Sequence, residues 1–355
     1  MKYFNLFACC KLVKGSFRSV IIDLQRGIYE AIPNDLYELI NVSRGKSKEE
    51  LENFYEKENH SVIHEYFNFL IDREYGFWCN SLDEFHRFPD IREEWDLPFP
   101  LSNVIIDIGS DSAIDYLNLI DQIINLRIPH LQIRALIDID FSIIESMVIA
   151  CERSNVNTVQ ILIPYPKNEV PILRLKKIVR KNVRINSLIF HSSPYSKVVK
   201  VIDKLSYIVF TKKHFTSLDD CGIVSKKYFC PNLNHFVESK NFNTCLNRKI
   251  SIDAYGEIRN CPSMKTSFGN IKYKSLVEVL NEEGFKSLWK ITKDKIDVCK
   301  DCEFRYLCTD CRANIKDTSN IYSQPAKCNY NPYICKWKGQ KGYITVEKWR
   351  KNNTQ

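Results

Sequence analysis

The chain has 355 residues, a formal net charge of +8, and 44% hydrophobic and 26% charged side chains. This length and balance predict a folded protein of two or three domains and exclude a disordered chain. No apolar run reaches the eighteen or so residues that a membrane-spanning helix needs, so we expect no membrane partner.

The N-terminal segment MKYFNLFACCKLVKG starts with its apolar stretch, without a basic segment before it or a clear cleavage site after it. We therefore predict no signal peptide and a cytoplasmic location, where thiols stay reduced. The chain has 14 cysteines. In a reducing compartment this number indicates metal binding or catalysis, not a disulfide framework.

Residues 1–90 combine strand and helix signals. The runs FRSVIIDL and GIYEAI alternate apolar and polar residues on either side of Gly27, which predicts an antiparallel hairpin. Three helical segments follow, NDLYELI, KEELENFYEK and VIHEYFNFLI, and Ser47 with Glu50 forms a capping box for the second of them. The run EYGFW is typical of another strand. This order predicts a winged-helix-like module.

After a charged, proline-rich linker, residues 100–225 carry five runs typical of buried strands, NVIIDI, HLQIRALI, TVQILI, SLIFHS and YIVF. The segments between several of them have apolar residues at helical spacing, as in Ile114, Leu117, Ile120 and Ile124. Alternating strands and helices predict βαβ units and a parallel sheet. Five strands are too few for a closed eight-stranded barrel, so a partial barrel or an open sheet is expected.

Residues 230–340 are rich in cysteine and contain no histidine after His235. The nine cysteines are Cys230, Cys245, Cys261, Cys299, Cys302, Cys308, Cys311, Cys328 and Cys335. Four of them form two C-x-x-C pairs. In such a pair, a single tight turn lets two sulfurs reach the same metal. Zinc sites and iron–sulfur clusters both take four thiolates, so nine cysteines suffice for two centres. Structural zinc remains an alternative, because thiolates bind either metal.

The spacing of these cysteines resembles that of a known domain. In CLNRKISIDAYGEIRNC, ten residues separate Cys245 from Gly256 and four more precede Cys261; later come C-x2-C-x5-C-x2-C and one further cysteine. This pattern resembles the seven-cysteine SPASM domain, the C-terminal extension of radical SAM peptide maturases. It departs from that domain by having two residues, not three, between Cys308 and Cys311.

The segments CLNRKISIDAYGEIRNCPSM and FGNI resemble one family in particular, the SPASM-domain peptide maturases of "grasp-with-spasm" systems. Members of this family are found beside an ATP-grasp ligase and a precursor peptide. Gly256 also suits a hairpin turn between ISIDAY and EIRNC, which would bring Cys245 and Cys261 together.

The resemblance implies two [4Fe–4S] clusters with interleaved ligands. It assigns Cys245, Cys261 and Cys311 to the first cluster. It assigns four ligands to the second cluster, namely Cys299, Cys302, Cys308 and Cys328. The fourth ligand of the first cluster usually comes from just upstream, which makes Cys230 the candidate and Cys335 its rival.

A radical SAM enzyme also needs three cysteines spaced C-x3-C-x2-C after its first barrel strand. Here the first strand run continues as IDIGSDSAIDY, without cysteine. The five cysteines before position 230 do not form the triplet; they are Cys9, Cys10, Cys79, Cys151 and Cys221. S-adenosylmethionine is therefore not expected as a cofactor, and the sequence leaves open whether the chain is an enzyme. We interpret Cys9, Cys10, Cys79 and Cys151 as packed apolar residues.

Two weaker candidates lie outside the cysteine-rich region. His60 and His64 are four residues apart on a predicted helix, and we interpret them as surface or partly packed side chains. Asp107 and Asp138 lie near strand ends, where a carboxylate can bind a ligand, but helix capping or solvation is the default interpretation.

These observations predict a three-part α/β protein. Its parts are a winged-helix-like peptide-recognition module (1–90), a partial, degenerate radical-SAM-like barrel (100–225) and a SPASM iron–sulfur domain (230–340). A basic tail (341–355) follows them. The predicted function is maturation of a ribosomally made peptide, with the precursor peptide and an ATP-grasp ligase as partners. The alternatives are a non-catalytic scaffold that presents the precursor and a zinc-bearing, basic nucleic-acid-binding protein. Nucleic acid is disfavoured as a partner, because the basic segments are typical of solvated surfaces.

Overall fold

A computed structural model describes residues 1–109, 114–166, 172–201, 206–215 and 221–353. The first part of the chain has five strands, β1 (Tyr3–Leu6), β2 (Cys10–Lys14), β3 (Ser19–Asp23), β4 (Ile28–Ile32) and β5 (Gly76–Cys79). Its helices are α1 (Asn34–Ser43), α2 (Lys48–Phe54), α3 (His60–Asp72) and α4 (Leu82–His86), with a 3₁₀ turn at Lys57–Asn59. Strands β2, β3 and β4 form an antiparallel sheet in that order, and β1 pairs with β5.

Two local predictions for this part are confirmed. The hairpin is β3–β4, and Gly27 in its turn has a φ of 70°. The capping box of α2 is present, since the Ser47 side chain accepts from the Glu50 amide and the Glu50 carboxylate accepts from the Ser47 amide. The predicted order of hairpin, three helices and a further strand is observed, while the winged-helix assignment stays a prediction.

Strand β3 is buried on both faces. Its successive side chains point to opposite faces of the sheet, so each face can pack in a different core. Ile21 packs in a core with the helices of this part, alongside Leu36 and Phe67. Val20 and Ile22 point the other way, into a second core that they share with the cysteine-rich part. The three-stranded sheet therefore lies between its own helices and the cysteine-rich part.

The β2–β3 turn makes polar contacts with the same part. The Ser16 amide donates to the Asp301 carbonyl at 2.8 Å, and Arg18 donates to the Glu303 carboxylate at 2.9 Å. A Cβ at Gly15 would lie 2.9 Å from the Glu303 Cβ, so the turn needs glycine there. The turn is thus fixed beside the Cys299–Cys302 pair.

The middle of the chain forms a parallel sheet covered by helices. Its strands are β6 (Asn103–Ile108), β7 (His130–Ala135), β8 (Thr158–Pro164), β9 (Ile185–His191), β10 (Lys197–Val201) and β11 (Ser206–Phe210). Its helices are α5 (Tyr116–Asn125), α6 (Phe141–Ala150) and α7 (Ile172–Lys181). Strands β6 to β9 and β11 are mutually parallel, which confirms the five predicted strands, and β10 pairs antiparallel with β11.

The remaining elements are short. They are α8 (Leu233–Asn241), β12 (Lys249–Ile252), β13 (Ile258–Arg259), α9 (Leu276–Leu280), β14 (Tyr330–Asn331), β15 (Lys336–Trp337) and α10 (Val346–Asn353). The 3₁₀ turns are Lys226–Tyr228, Ser287–Lys290, Lys293–Lys295 and Cys299–Asp301. Strands β12 and β13 form the hairpin predicted around Gly256, whose φ is 90°.

Strand β12 also pairs in parallel with β6, so this hairpin extends the central sheet. The strand order is β10-β11-β9-β8-β7-β6-β12-β13, with β10 and β13 at its two ends. Among the described residues the sheet is therefore open, and the predicted barrel is not confirmed.

Part of the predicted basic tail, residues 346–353, is a helix that contacts the rest of the chain. Helix α10 is held by two contacts, a bidentate pair between Arg350 and Asp297 at 2.8 and 2.9 Å and a stack of Trp349 on Tyr333 at 4.2 Å between ring centroids. Across the described residues, no helix has the length and apolar character needed to span a membrane.

Candidate metal centres

Three cysteines of the two C-x-x-C pairs and one cysteine from the segment after them line one cavity. We call Cys299, Cys302, Cys308 and Cys328 the second thiol group. Cys299 opens a 3₁₀ turn after Val298, which has a φ of 66°, and the Cys302 amide donates to the Cys299 carbonyl at 3.0 Å. This tight turn places two sulfurs at the same cavity.

The second thiol group lies in an apolar environment. Burial raises the pKa of Cys299 and of Cys302 well above the ordinary value, and burial also raises the pKa of Cys328. These thiols are therefore protonated in the metal-free chain. Metal binding must displace those protons, so it depends on pH.

Four other cysteines lie close together, Cys221, Cys245, Cys261 and Cys311. We call them the first thiol group, because they include the three ligands that the resemblance assigns to the first cluster. The thiols of Cys221 and Cys311 are hydrogen-bonded to each other; this bond lowers the pKa of Cys221 and raises that of Cys311. Burial raises the pKa of Cys261, and proximity to Cys245 raises it further. Cys245 acts in the same direction on Cys311.

Local structure explains how this group assembles. Cys245 precedes β12 and Cys261 follows β13, so the pairing of Ser251 with Arg259 brings both cysteines to the open end of one hairpin. Gly222 leaves room for the Cys311 sulfur, since a Cβ on this glycine would lie 2.9 Å from it.

Polar groups also approach the sulfurs of the first thiol group. The Ser263 hydroxyl lies 3.2 Å from the Cys221 sulfur. Lys249 Nζ and Asn314 Nδ2 each lie 3.9 Å from a sulfur, those of Cys245 and Cys311 respectively. Donors directed at sulfur suit thiolates that carry negative charge.

Cys230 and Cys335, the two sequence candidates for the fourth ligand, are placed elsewhere. Cys230 lies beside the second thiol group, where Cys308 and burial raise its pKa, and its sulfur donates to the Tyr228 carbonyl at 3.5 Å. Cys335 is near Tyr330 and the Glu303 carboxylate. The geometry favours Cys221 as the fourth ligand, which sequence reasoning did not choose. Gly222, the residue after Cys221, is the sequence feature that could have indicated it.

A buried ion pair lies in the chain next to Cys308 of the second thiol group and Cys311 of the first. Asp310, between Cys308 and Cys311, accepts from Arg312 Nη2 at 2.6 Å and from the Asn243 side-chain amide. The side chains of Asp310 and Arg312 are 2% and 0% exposed. Arg312 Nη1 donates to two backbone carbonyls, so the pair fixes the chain between ligands of different groups.

The spacing of the sulfurs can be compared with that of a zinc site. Four sulfurs about 2.3 Å from one zinc ion, at tetrahedral corners, lie about 3.8 Å apart. Neither thiol group contains three sulfurs that are all within 4.8 Å of one another in the described residues. Both groups are therefore wider than a single zinc site. In a cluster each sulfur binds its own iron, and wider spacing is needed.

One set of three ligand atoms in the described residues does meet that 4.8 Å limit, and it consists of Cys9, Cys10 and Asp23. The Asp23 carboxylate already accepts from the Gln25 and Arg26 amides and from Arg26 Nε at 2.6 Å. Burial raises the pKa of Cys10 far above the ordinary value. A protonated thiol and a carboxylate paired with arginine are poor ligands. Packing remains the interpretation for both cysteines.

The weaker candidates are held by internal contacts. The His60 ring binds the Glu52 and Tyr55 carbonyls, and His64 lies 2.9 Å from the Glu52 carboxylate. Asp107 forms a two-point ion pair with Arg134 at 2.7 and 2.8 Å. Asp138 lies at the edge of an apolar pocket with Phe141 and Arg174. None of these arrangements in the described residues gathers metal ligands.

Comparison with known proteins gives one informative match. Residues 244–303 match the family model of the SPASM iron–sulfur cluster-binding domain. This SPASM segment includes Cys245, Cys261, Cys299 and Cys302. No curated protein matches the sequence.

Two similar structures are crystal structures of SuiB from Streptococcus suis. The complex with S-adenosylmethionine has 11% sequence identity and a TM-score of 0.40, and the match covers 92% of this chain and 99% of that chain. The complex with the precursor peptide SuiA has 11% identity and a TM-score of 0.31, with 88% and 96% coverage.

Proposed function

We propose that this chain is an iron–sulfur protein that acts in the maturation of a ribosomally made peptide, beside an ATP-grasp ligase. The observation that carries the proposal is the pair of four-thiol groups in and around the SPASM segment. The sequence resemblance supports the peptide and ligase partners, and SuiB, a structurally similar protein, binds a precursor peptide.

The thiol groups fit two [4Fe–4S] clusters. The first cluster would bind the first thiol group, with Cys221 as its fourth ligand, and the second cluster would bind the second thiol group. Such clusters supply one-electron transfer and hold together the chain around them. The chain's own residues supply the buried surroundings, donors to sulfur and the ion pair of Asp310 and Arg312.

Metal analysis of anaerobically purified chain tests this proposal. We expect about eight iron atoms and about as many labile sulfides per chain, because each of two clusters contains four of each. Visible absorption should be broad and should fall on reduction with dithionite. Zinc at one or two atoms per chain, without sulfide, would contradict the proposal.

A non-catalytic scaffold is a second candidate function. The sequence lacks the C-x3-C-x2-C triplet that a S-adenosylmethionine-cleaving cluster uses. A protein with only auxiliary clusters would present the precursor to the ligase and leave bond formation to it. The zinc-bearing nucleic-acid binder is less well supported, because both thiol groups are wider than a zinc site.

A groove in the first part of the chain supports peptide binding. It has a volume of about 440 Å³ and runs between β1 and β2, with Tyr37 of α1 and Arg44, the residue after α1, along one side. Among the described strands β2 has only β3 as a neighbour, while β1 pairs with β5 and is also bridged to Ser47 through Tyr3. Unpaired strand edges beside side-chain pockets can take up an extended peptide.

Substituting an aromatic residue at the rim of this groove tests the proposed binding site. Phe7 lines the groove and is 39% exposed. Phe7→Ala should weaken binding of the precursor's leader segment about tenfold, as expected for loss of a moderate aromatic contact. The measurement is fluorescence anisotropy with a labelled leader peptide and the full chain.

The matched control is Phe54→Ala. Phe54 is 62% exposed on the same part of the chain and does not line the groove. This variant should bind like the wild type. Equal binding by all three chains would place recognition elsewhere, and no binding by the wild type would remove the main support for a scaffold.

A further inference from the structure

Lys293 is a buried lysine beside the second thiol group. It starts the 3₁₀ turn Lys293–Lys295, and the residue is only 5% exposed. Its side chain lines the same cavity as the four cysteines of that group. Its ammonium donates a hydrogen bond to the Cys308 carbonyl.

The described residues give this ammonium no carboxylate partner within the 4.0 Å of an ion pair. Asp310 acts on Lys293 through space but is paired with Arg312, and Asp294 is paired with Arg305. A buried ammonium without an ion-pair partner is unfavourable, and one hydrogen bond does not compensate for it. The surroundings therefore imply an anion in the cavity.

The sulfurs of the second thiol group are the atoms that can supply that anion. They line the same cavity as Lys293, and the Lys293 ammonium already contacts Cys308 through the carbonyl of that residue. Ammonium and thiolates thus stabilise each other once a metal centre keeps the sulfurs deprotonated.

We propose that Lys293 is the built-in counter-cation of the second cluster and raises its reduction potential. The inference rests on the proposed function, because it requires a cluster on this thiol group. Reduction adds one electron, and hence one negative charge, to a centre in an apolar cavity. A fixed positive charge stabilises the reduced form more than the oxidised form, and low dielectric strengthens this effect.

The first thiol group has a different environment. Lys249 approaches the Cys245 sulfur at 3.9 Å, but this lysine is only partly buried and water screens its charge. Replacing Lys293 should therefore change the second cluster and leave the first unchanged. This selectivity separates a local charge effect from general destabilisation.

Lys293→Met tests the inference by removing the charge while keeping most of the side-chain volume. The full chain is titrated anaerobically with dithionite and mediators, and electron paramagnetic resonance reports each reduced cluster. The signal lost in Cys302→Ala identifies the second cluster. At a fixed potential near the wild-type midpoint, the ratio of reduced to oxidised second cluster should fall at least tenfold, a shift of 59 mV to lower potential.

Two controls separate charge from packing. Lys300→Met makes the same change at an exposed lysine next to Cys299 in sequence, and its ratio should stay within about threefold of the wild type, because water screens exposed charges. Lys293→Arg keeps the charge and should keep the wild-type ratio. A Lys293→Met chain that assembles only the first cluster, while Lys293→Arg assembles both, also supports the inference.

The inference is overturned if Lys293→Met titrates like the wild type, or if Lys293→Met and Lys293→Arg lose or shift the second cluster equally. A wild-type chain without iron and sulfide contradicts the proposed function itself. That result is seen before any variant is made, so the two failures are distinguishable.

Discussion

Cys221→Ala should remove one of two clusters, so that iron falls from about eight to about four atoms per chain. The reason is geometric, because the Cys221 thiol is hydrogen-bonded to that of Cys311, in the group that includes Cys261. The first cluster would then lack one of its four protein ligands, and we expect it to be lost during purification. Iron and sulfide analysis with electron paramagnetic resonance of the reduced chain measures the effect.

The controls are the same substitution at the two cysteines that sequence spacing suggested. Cys230→Ala and Cys335→Ala should each keep about eight iron atoms. Cys302→Ala should remove the other cluster, since it belongs to the second thiol group. Loss of half the iron in Cys230→Ala, with none lost in Cys221→Ala, would return the fourth-ligand role to Cys230.

Asp310→Ala should destabilise the chain by about 3–5 kcal/mol, because it leaves the buried Arg312 guanidinium without its counter-charge. The Arg312 side chain is 0% exposed, and its Nε has no hydrogen-bond partner among the described residues. Removing the carboxylate also frees the Asn243 amide. Anaerobic urea unfolding, followed by circular dichroism, measures the loss.

Asp297→Ala is the matched control. Asp297 pairs with Arg350, but both side chains are 43% exposed, so this substitution should cost only about 0–1 kcal/mol. The double variant Asp310→Ala/Arg312→Met should recover part of the stability, since no unpaired charge remains. If Asp310→Ala and Asp297→Ala cost the same, the buried pair does not stabilise the junction.

Sequence reasoning succeeded where short stretches determine the result. The five strands of the central sheet are long apolar runs separated by helical segments, so local pattern was enough. The turn at Gly256 and the capping box of Ser47 and Glu50 likewise depend on neighbouring residues. The tight turn of the Cys299–Cys302 pair also follows from local spacing, while the number of metal centres stays a prediction.

The missed features all depend on contacts between distant residues. Cys221 joins Cys311 across 90 positions, and nothing local to either cysteine specifies that contact. The pairing of β12 with β6 and the second buried face of β3 are long-range in the same way. In the sequence nothing distinguishes Lys293 from the other lysines. Only the fold shows that it lines a cavity with four thiols.

The contact between the β2–β3 turn and Glu303 has a consequence for biosynthesis. Arg18 and Glu303 are 285 positions apart. At 5–20 residues per second, a ribosome needs about 15–60 s to make the intervening chain. During that time the Val20 and Ile22 face of β3 lacks Phe304 and Leu307, part of the core that covers it, so a chaperone that binds apolar strands would meet it first. Under the proposed function, assembly of the second cluster would need Cys328 and would come later still.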